Sequence, residues 1–243
     1  MTAADGAPRV VVVTGAGSGI GAATAAAFVE LGDRVVGLDV AGTAPPGAEL
    51  VTCDVTDRAA VTAAIDGAAA DGRIDVLANV AGIPQFGRLE TITEDVWDRT
   101  LAVDLKGPFL TIQAALPYLR AARGSVVNIA SVAGRIPNPY VAAYAAAKGG
   151  LVHLSRSLAM ELAPDGVRVN CVCPGGVDTP LVAEVAKSYP SDLHPRLTDR
   201  MNPLLDGTSF MPPSEVAASI VYLSSAAAGY ISGAVLALDG MQG

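Results

Sequence analysis

With 243 residues, 51% of them apolar and 16% charged, the chain can bury one large core, which fits a single α/β domain better than two equal ones. A formal net charge of −8, with few and scattered Lys and Arg, leaves no basic face for phosphates and argues against a nucleic-acid partner. Three cysteines (Cys53, Cys171, Cys173), no recognisable secretory leader and no apolar run of membrane-spanning length lead to the expectation of a cytoplasmic, soluble protein with no membrane contact.

Residues 1–8 are small, polar and unpatterned. A β-branched run at 9–13 then predicts a buried strand, and the TGAGSGIG segment at 14–21 predicts a turn that opens a helix over 19–31, stopped by Gly32. A second strand follows at 34–39. Further strands are expected at 49–53, 75–79, 125–130, 167–172 and 234–238. Between them lie helices at 57–70, 94–119, 144–162 and 213–224, with Gly107, Pro108 and Pro117 interrupting the second of these. Strands alternating with helices predict a doubly wound parallel sheet covered on both faces. The long irregular segment 180–212, broken by Pro190, Pro195 and Pro203, is expected to be a substrate lid, the alternative being a mobile connector with a few buried anchors.

Three constellations carry chemistry. The first is the glycine turn. Unpaired N–H groups at the start of the first helix favour a pyrophosphate, and Gly15, Gly19 and Gly21 let it approach the backbone. Ile20 stands where the strict GxGxxG pattern needs its third glycine, so the fit is to the looser TGxxxGxG. The second is Asp39, closing the second strand, where a carboxylate accepts from the ribose hydroxyls and repels a 2′-phosphate. Neither Ser18 nor Val40 offers a compensating cation, so NAD is favoured over NADP.

The third is Ser131 after a strand, followed by Tyr144 and Lys148 four residues apart on one helix face. A phenol with a reference pKa of about 10 is a weak base near neutrality, and a neighbouring ammonium favours its ionised form. Ser131 would polarise a substrate oxygen while Tyr144 exchanges the proton and carbon exchanges hydride with a nicotinamide. Tyr140 has no lysine four residues on and is set aside. His153 and His194 stand far apart without a ligand cluster, so no metal is expected. Cys171, Cys173 and Trp97 read as packing residues.

TGAGSGIG, Asp39, the pair Asp54-Val55, NVAG at 79–82, Ser131, YAAAK at 144–148, PGGVDT at 174–179 and the closing Leu238-Asp239-Gly240 occur in order over nearly the whole chain. Together they resemble the short-chain dehydrogenase/reductase family. The resemblance implies a Rossmann-like domain and NAD contacts from Gly15, Ser18, Gly19, Ile20, Gly21, Asp39 and Val40, with Asp54 and Val55 bordering the adenine. It assigns Asn79, Ala81 and Gly82 to the central sheet and ribose, and Pro174, Gly175, Val177 and Thr179 to the nicotinamide side. Tyr144 and Lys148 would serve both cofactor and catalysis. It also implies a homo-oligomer, expected here as a tetramer.

Asp104 departs from the family's usual asparagine as fourth catalytic residue. NVAG for NNAG and the closing Asp239-Gly240-Met241 are milder changes. The substrate reads as a small alcohol or ketone. Ala133, Ile136, Tyr140, Val141 and Phe86 would make its pocket apolar, with no arginine set to clamp a carboxylate. Competing readings are a 3-oxoacyl thioester reductase, which Asp39 disfavours because such enzymes commonly prefer NADP, and a nucleotide-binding regulatory protein without turnover, which the intact Ser131, Tyr144 and Lys148 disfavour.

Overall fold

The computed structural model describes residues 7–180, 182, 192, 194–198 and 210–241. Seven strands form one parallel sheet: β1 (Val10–Thr14), β2 (Arg34–Asp39), β3 (Glu49–Thr52), β4 (Val76–Asn79), β5 (Ser125–Ile129), β6 (Arg168–Pro174) and β7 (Val235–Leu238), in the order β3-β2-β1-β4-β5-β6-β7. The period-2 geometry of β1 explains its unbroken apolar sequence. Val10 and Val12 enter one core layer with Ile65, Leu110 and Leu119, whereas Val11 and Val13 enter the other with Phe28, Val216 and Ile220. The edge strands β3 and β7 are only partly buried.

Helices α1 (Gly19–Glu30) and α6 (Pro213–Leu223) supply one layer, while α2 (Arg58–Ala68), α3 (Glu94–Leu101), α4 (Gly107–Ala122) and α5 (Ala142–Leu162) lie along the opposite side. Local sequence sets their ends. Asp57 caps α2 by accepting from the N–H groups of Ala59 and Ala60, and Thr93 caps α3 through Val96 N–H. A buried clamp joins remote parts of the chain. The Arg9 guanidinium lies 5.6 Å from the Phe28 ring centroid, donates to both Asp33 carboxylate oxygens at 3.0 and 2.5 Å, and reaches the Ser224 carbonyl at 3.1 Å.

Two sequence expectations need correction. The interruption of the helix expected over 94–119 is not at its prolines. Pro108 occupies the first turn of α4, where a missing N–H is harmless, and Pro117 lies inside a helix that continues to Ala122. The break is a five-residue π-helical stretch, Ala102–Lys106, with Asp104 at its centre. Trp97, read as a helix-packing residue, is 38% exposed on α3. Among the described residues, no helix is long and apolar enough to cross a membrane. Most of the expected lid, including Leu204 and Leu205, lies outside the described residues. Met211 is described, and its backbone pairs with Gly176 and Asp178.

Candidate active site

The strand order reverses at β1, whose neighbours β2 and β4 lead to opposite halves of the sheet, so a crevice opens at the carboxyl ends of β1 and β4. The glycine turn sits there. Gly15 has φ +71°, donates its N–H to Leu38 O at 2.7 Å, and lies so close to Ala81 that a Cβ would come within 2.9 Å of that backbone. A Cβ on Gly21 would strike the Gly15 carbonyl at 1.9 Å. Ser18 is the N-cap of α1 but makes no side-chain cap, so the helix's first N–H groups are not filled by their own cap residue. A phosphate fits this cradle. Ile20 packs against the core layer behind it, and Thr179 closes the far side, its Cγ2 lying 3.1 Å from a Cβ built on Gly19.

Asp39 stands beside this turn, where its carboxylate accepts from Gly17 N at 2.8 Å and Val40 N at 2.7 Å. Val40 is 60% exposed. Asp54 accepts from the Thr56 N–H and hydroxyl, and Val55 packs where a Cβ on Gly107 would clash. Asn79 faces inward. Its amide donates to Asn128 and accepts from Thr111, and Asn128 continues to Ser155, so these side chains bind β4 and β5 to α4 and α5. Ala81 N donates to the Thr14 hydroxyl. At the end of β6, Pro174 is followed by Gly175, whose N–H bonds Leu238 O, and by the buried Val177.

The second cluster meets the crevice from α5. Ser131 begins a turn whose Gly134 lies directly on α5, since a Cβ there would be 2.8 Å from the Lys148 carbonyl group. That contact sets the Ser131 hydroxyl, which accepts from Ala133 N at 3.2 Å, beside the Tyr144 phenol. Arg135 ties the same turn to Asp239 near the chain's end at 2.8 Å. The Lys148 ammonium is buried 5.6 Å from the Tyr144 ring centroid and donates to Ile129 O at 2.9 Å.

The sequence expectation placed Asp104 in this cluster, and it stands there. Fully buried, its carboxylate pairs with Lys148 Nζ at 2.9 Å and accepts from Ile83 N at 3.3 Å. Gly82 makes the approach possible, because a Cβ there would lie 2.6 Å from the carboxylate. The electrostatics follow from this pairing. Burial opposes the Lys148 charge, but Asp104 and Tyr144 hold the ammonium on and raise its pKa. Burial pushes the Tyr144 phenol above its ordinary value; Lys148 pulls it down, Asp104 pushes it up and the Ser131 hydrogen bond pulls it down, with the balance upward. Tyr144 therefore feels a lysine–aspartate dipole in place of a lone cation.

Two polar residues at the pocket wall escaped the sequence reading. Arg88, whose guanidinium carbon is 6.0 Å from the Tyr140 ring centroid, pairs with Asp192 at 2.7 Å. Gln85 is buried, and its Oε1 accepts from Ala143 N at 3.2 Å. The only signal for either was a polar side chain following the apolar VAGIP segment.

Comparison with known proteins accords with this architecture. Residues 15–240 match the family model described as enoyl-(acyl carrier protein) reductase. The chain is 41% identical to a cis-4-hydroxycyclohexanecarboxylate dehydrogenase of Sinomonas cyclohexanicum over 96% of both chains. It is 40% identical to a D-threitol dehydrogenase of Mycolicibacterium smegmatis, covering 96% of this chain and 92% of that one. Among solved structures, Thermoplasma acidophilum aldohexose dehydrogenase superposes with a TM-score of 0.85 at 35% identity, covering 96% of this chain and 93% of that one. A Brucella melitensis 3-ketoacyl-(acyl-carrier-protein) reductase complexed with NADH gives 0.84 at 30% identity, covering 96% and 98%. The chain belongs to the short-chain dehydrogenase/reductase family. It is an oxidoreductase of the kind that acts on alcohols and ketones with a nicotinamide cofactor.

Proposed function

We propose that the protein is an NAD-dependent dehydrogenase interconverting a small secondary alcohol and its ketone, with Tyr144 as acid/base. The observation that carries this reading is the cluster of Ser131, Tyr144 and Lys148 at the crevice of the glycine turn. The nicotinamide supplies or removes the hydride when bound. Gly15, Ser18, Gly19, Ile20 and Gly21 would hold its pyrophosphate; Asp39, Val40, Asp54 and Val55 the adenosine; and Ala81, Gly82, Pro174, Gly175, Val177 and Thr179 the nicotinamide half, on a sheet clamped by Asn79. Ser131 holds the substrate oxygen while Tyr144 takes the alcohol proton during oxidation or returns it during reduction. Lys148 favours the phenolate, and its ammonium would hold the nicotinamide ribose when the cofactor is bound. Asp104 acts through Lys148, fixing its charge and position.

The names of the hydroxy-acid and tetritol dehydrogenases among its relatives support an alcohol substrate. The Brucella reductase favours a second reading, a 3-oxoacyl thioester reductase. Oxidation of secondary alcohols, set against reduction of an acetoacetyl thioester, separates the two.

Asp39 supports NAD, because a 2′-phosphate would meet a carboxylate whose nearest partners are neutral backbone N–H groups. We expect kcat/KM to favour NAD over NADP, and Asp39→Ala to weaken NAD and narrow the gap by about tenfold, the worth of one charge-assisted hydrogen bond. A wild-type preference for NADPH would reject this assignment.

The chain is further proposed to be a homotetramer. An apolar groove lined by Leu101, Ala102, Leu105, Phe109 and Leu154 runs along α3, α4 and α5, with Trp97 one turn before Leu101. A second open surface is the edge strand β7, with Leu236 exposed and Tyr222 and Tyr230 exposed elsewhere toward the chain's end. A tetramer could cover both. Light scattering at micromolar concentration should give the mass of four chains; that of one chain would contradict the reading.

A further inference from the structure

The segment joining β4 to α3 passes the first turn of α5, and Gln85 is the side chain that links them. Its Oε1 accepts the Ala143 N–H, one residue before Tyr144. Val141, the N-cap of α5, has no side-chain cap of its own, so Gln85 supplies an acceptor to that turn from a remote loop. This bond also fixes the amide's orientation, since only the oxygen end can face an N–H donor.

The nitrogen end is then left over. Gln85 is 5% exposed, and its Nε2 has no hydrogen-bond partner among the described residues. Nε2 lies 3.7 Å from the position a Cβ would take on Gly87, and the Gly87 N–H holds the Tyr140 carbonyl at 2.9 Å. Residues 85–87 thus lie against 140–143, and the orphaned donor stands close to the turn that carries the proposed acid/base. A buried amide N–H without an acceptor is costly, and native interiors rarely leave one so.

We propose that Gln85 is a specificity-determining residue whose Nε2 donates to a second oxygen, hydroxyl or carbonyl, on the same small molecule whose carbinol reacts at Tyr144. The assignment rests on the dehydrogenase reading above and refines its substrate class from an apolar alcohol to an oxygenated one. A site built to donate a hydrogen bond discriminates strongly against an analogue lacking the acceptor, because the donor is then buried unpaired.

The test compares kcat/KM for matched alcohols: meso-2,3-butanediol against 2-butanol, and cis-1,4-cyclohexanediol against cyclohexanol. The wild type should prefer the oxygenated member of at least one pair by about tenfold or more. Gln85→Leu removes both ends of the amide. Gln85→Glu, assayed at alkaline pH where the carboxyl is ionised, keeps the acceptor for Ala143 N and loses the donor, so it retains the cap. In both variants the preference should collapse by about tenfold or more, while each alcohol lacking the second oxygen loses less. If Gln85→Glu kept the preference that Gln85→Leu lost, Gln85 would be only a helix cap and the assignment would fail. Equal use of both members by the wild type would overturn it as well. No oxidation of any of the four alcohols would instead remove the dehydrogenase reading, and this assignment with it.

Discussion

Tyr144→Phe is expected to lower kcat for alcohol oxidation by about a thousandfold, within the range that positioned acid/base groups contribute. The substitution removes one oxygen and leaves the ring in place between the Ser131 turn and Lys148. Affinity for NADH should therefore change little. Lys148 keeps its partners Asp104 and Ile129 O, so the ammonium offered to the ribose is not disturbed. Steady-state rates together with a fluorescence titration of NADH check both halves. A variant that kept most of its turnover would show that another group moves the proton.

Lys148→Ala should cost about 3–5 kcal/mol of folding stability in addition to turnover, because it strands the Asp104 carboxylate in the interior. Asp104 is fully buried, and the Ile83 N–H would be its remaining partner. Chemical denaturation reads the loss, and adding Asp104→Asn to the same protein should recover part of it. The single variant Asp104→Asn serves a different purpose. Burial and Asp104 both hold the Tyr144 phenol above its ordinary value, and oxidation needs the phenolate. The rate should therefore rise with pH through that raised value. Removing the aspartate's negative charge should move the alkaline limb to lower pH while the enzyme stays active. An unmoved profile would mean that the aspartate's charge does not reach Tyr144.

The strand–helix alternation was legible because parallel strands buried on both faces must be apolar throughout, as Val10 to Val13 are, whereas Ala-rich stretches, the first of them closed by Gly32, marked helices between them. The glycine turn was legible for a similar reason: positions whose backbones touch, such as Gly15 and Ala81, tolerate no side chain. What the sequence hid depends on register across distance. Nothing near Asp104 announces a π-helical stretch, or that its carboxylate meets Lys148, forty-four positions away. Gln85 was hidden because its partner, Ala143 N, belongs to another element and is a backbone atom with no signature in the sequence. Trp97 misled because an apolar residue on a helix reads as a packing residue whether or not a layer covers it.

The Arg9 clamp bears on how the chain reaches this state. Arg9 precedes the central strand, yet one of its three acceptors, the Ser224 carbonyl, emerges from the ribosome 215 residues after it. Until then its guanidinium can be only partly satisfied, and the layer containing Val11, Val13 and Phe28 lacks Val216 and Ile220 from α6. An N-terminal fragment ending before α6 would expose that apolar layer to solvent and to other nascent chains. Contacts between such distant parts of a sequence slow folding, so this layer of the core closes only once α6 has docked on the sheet.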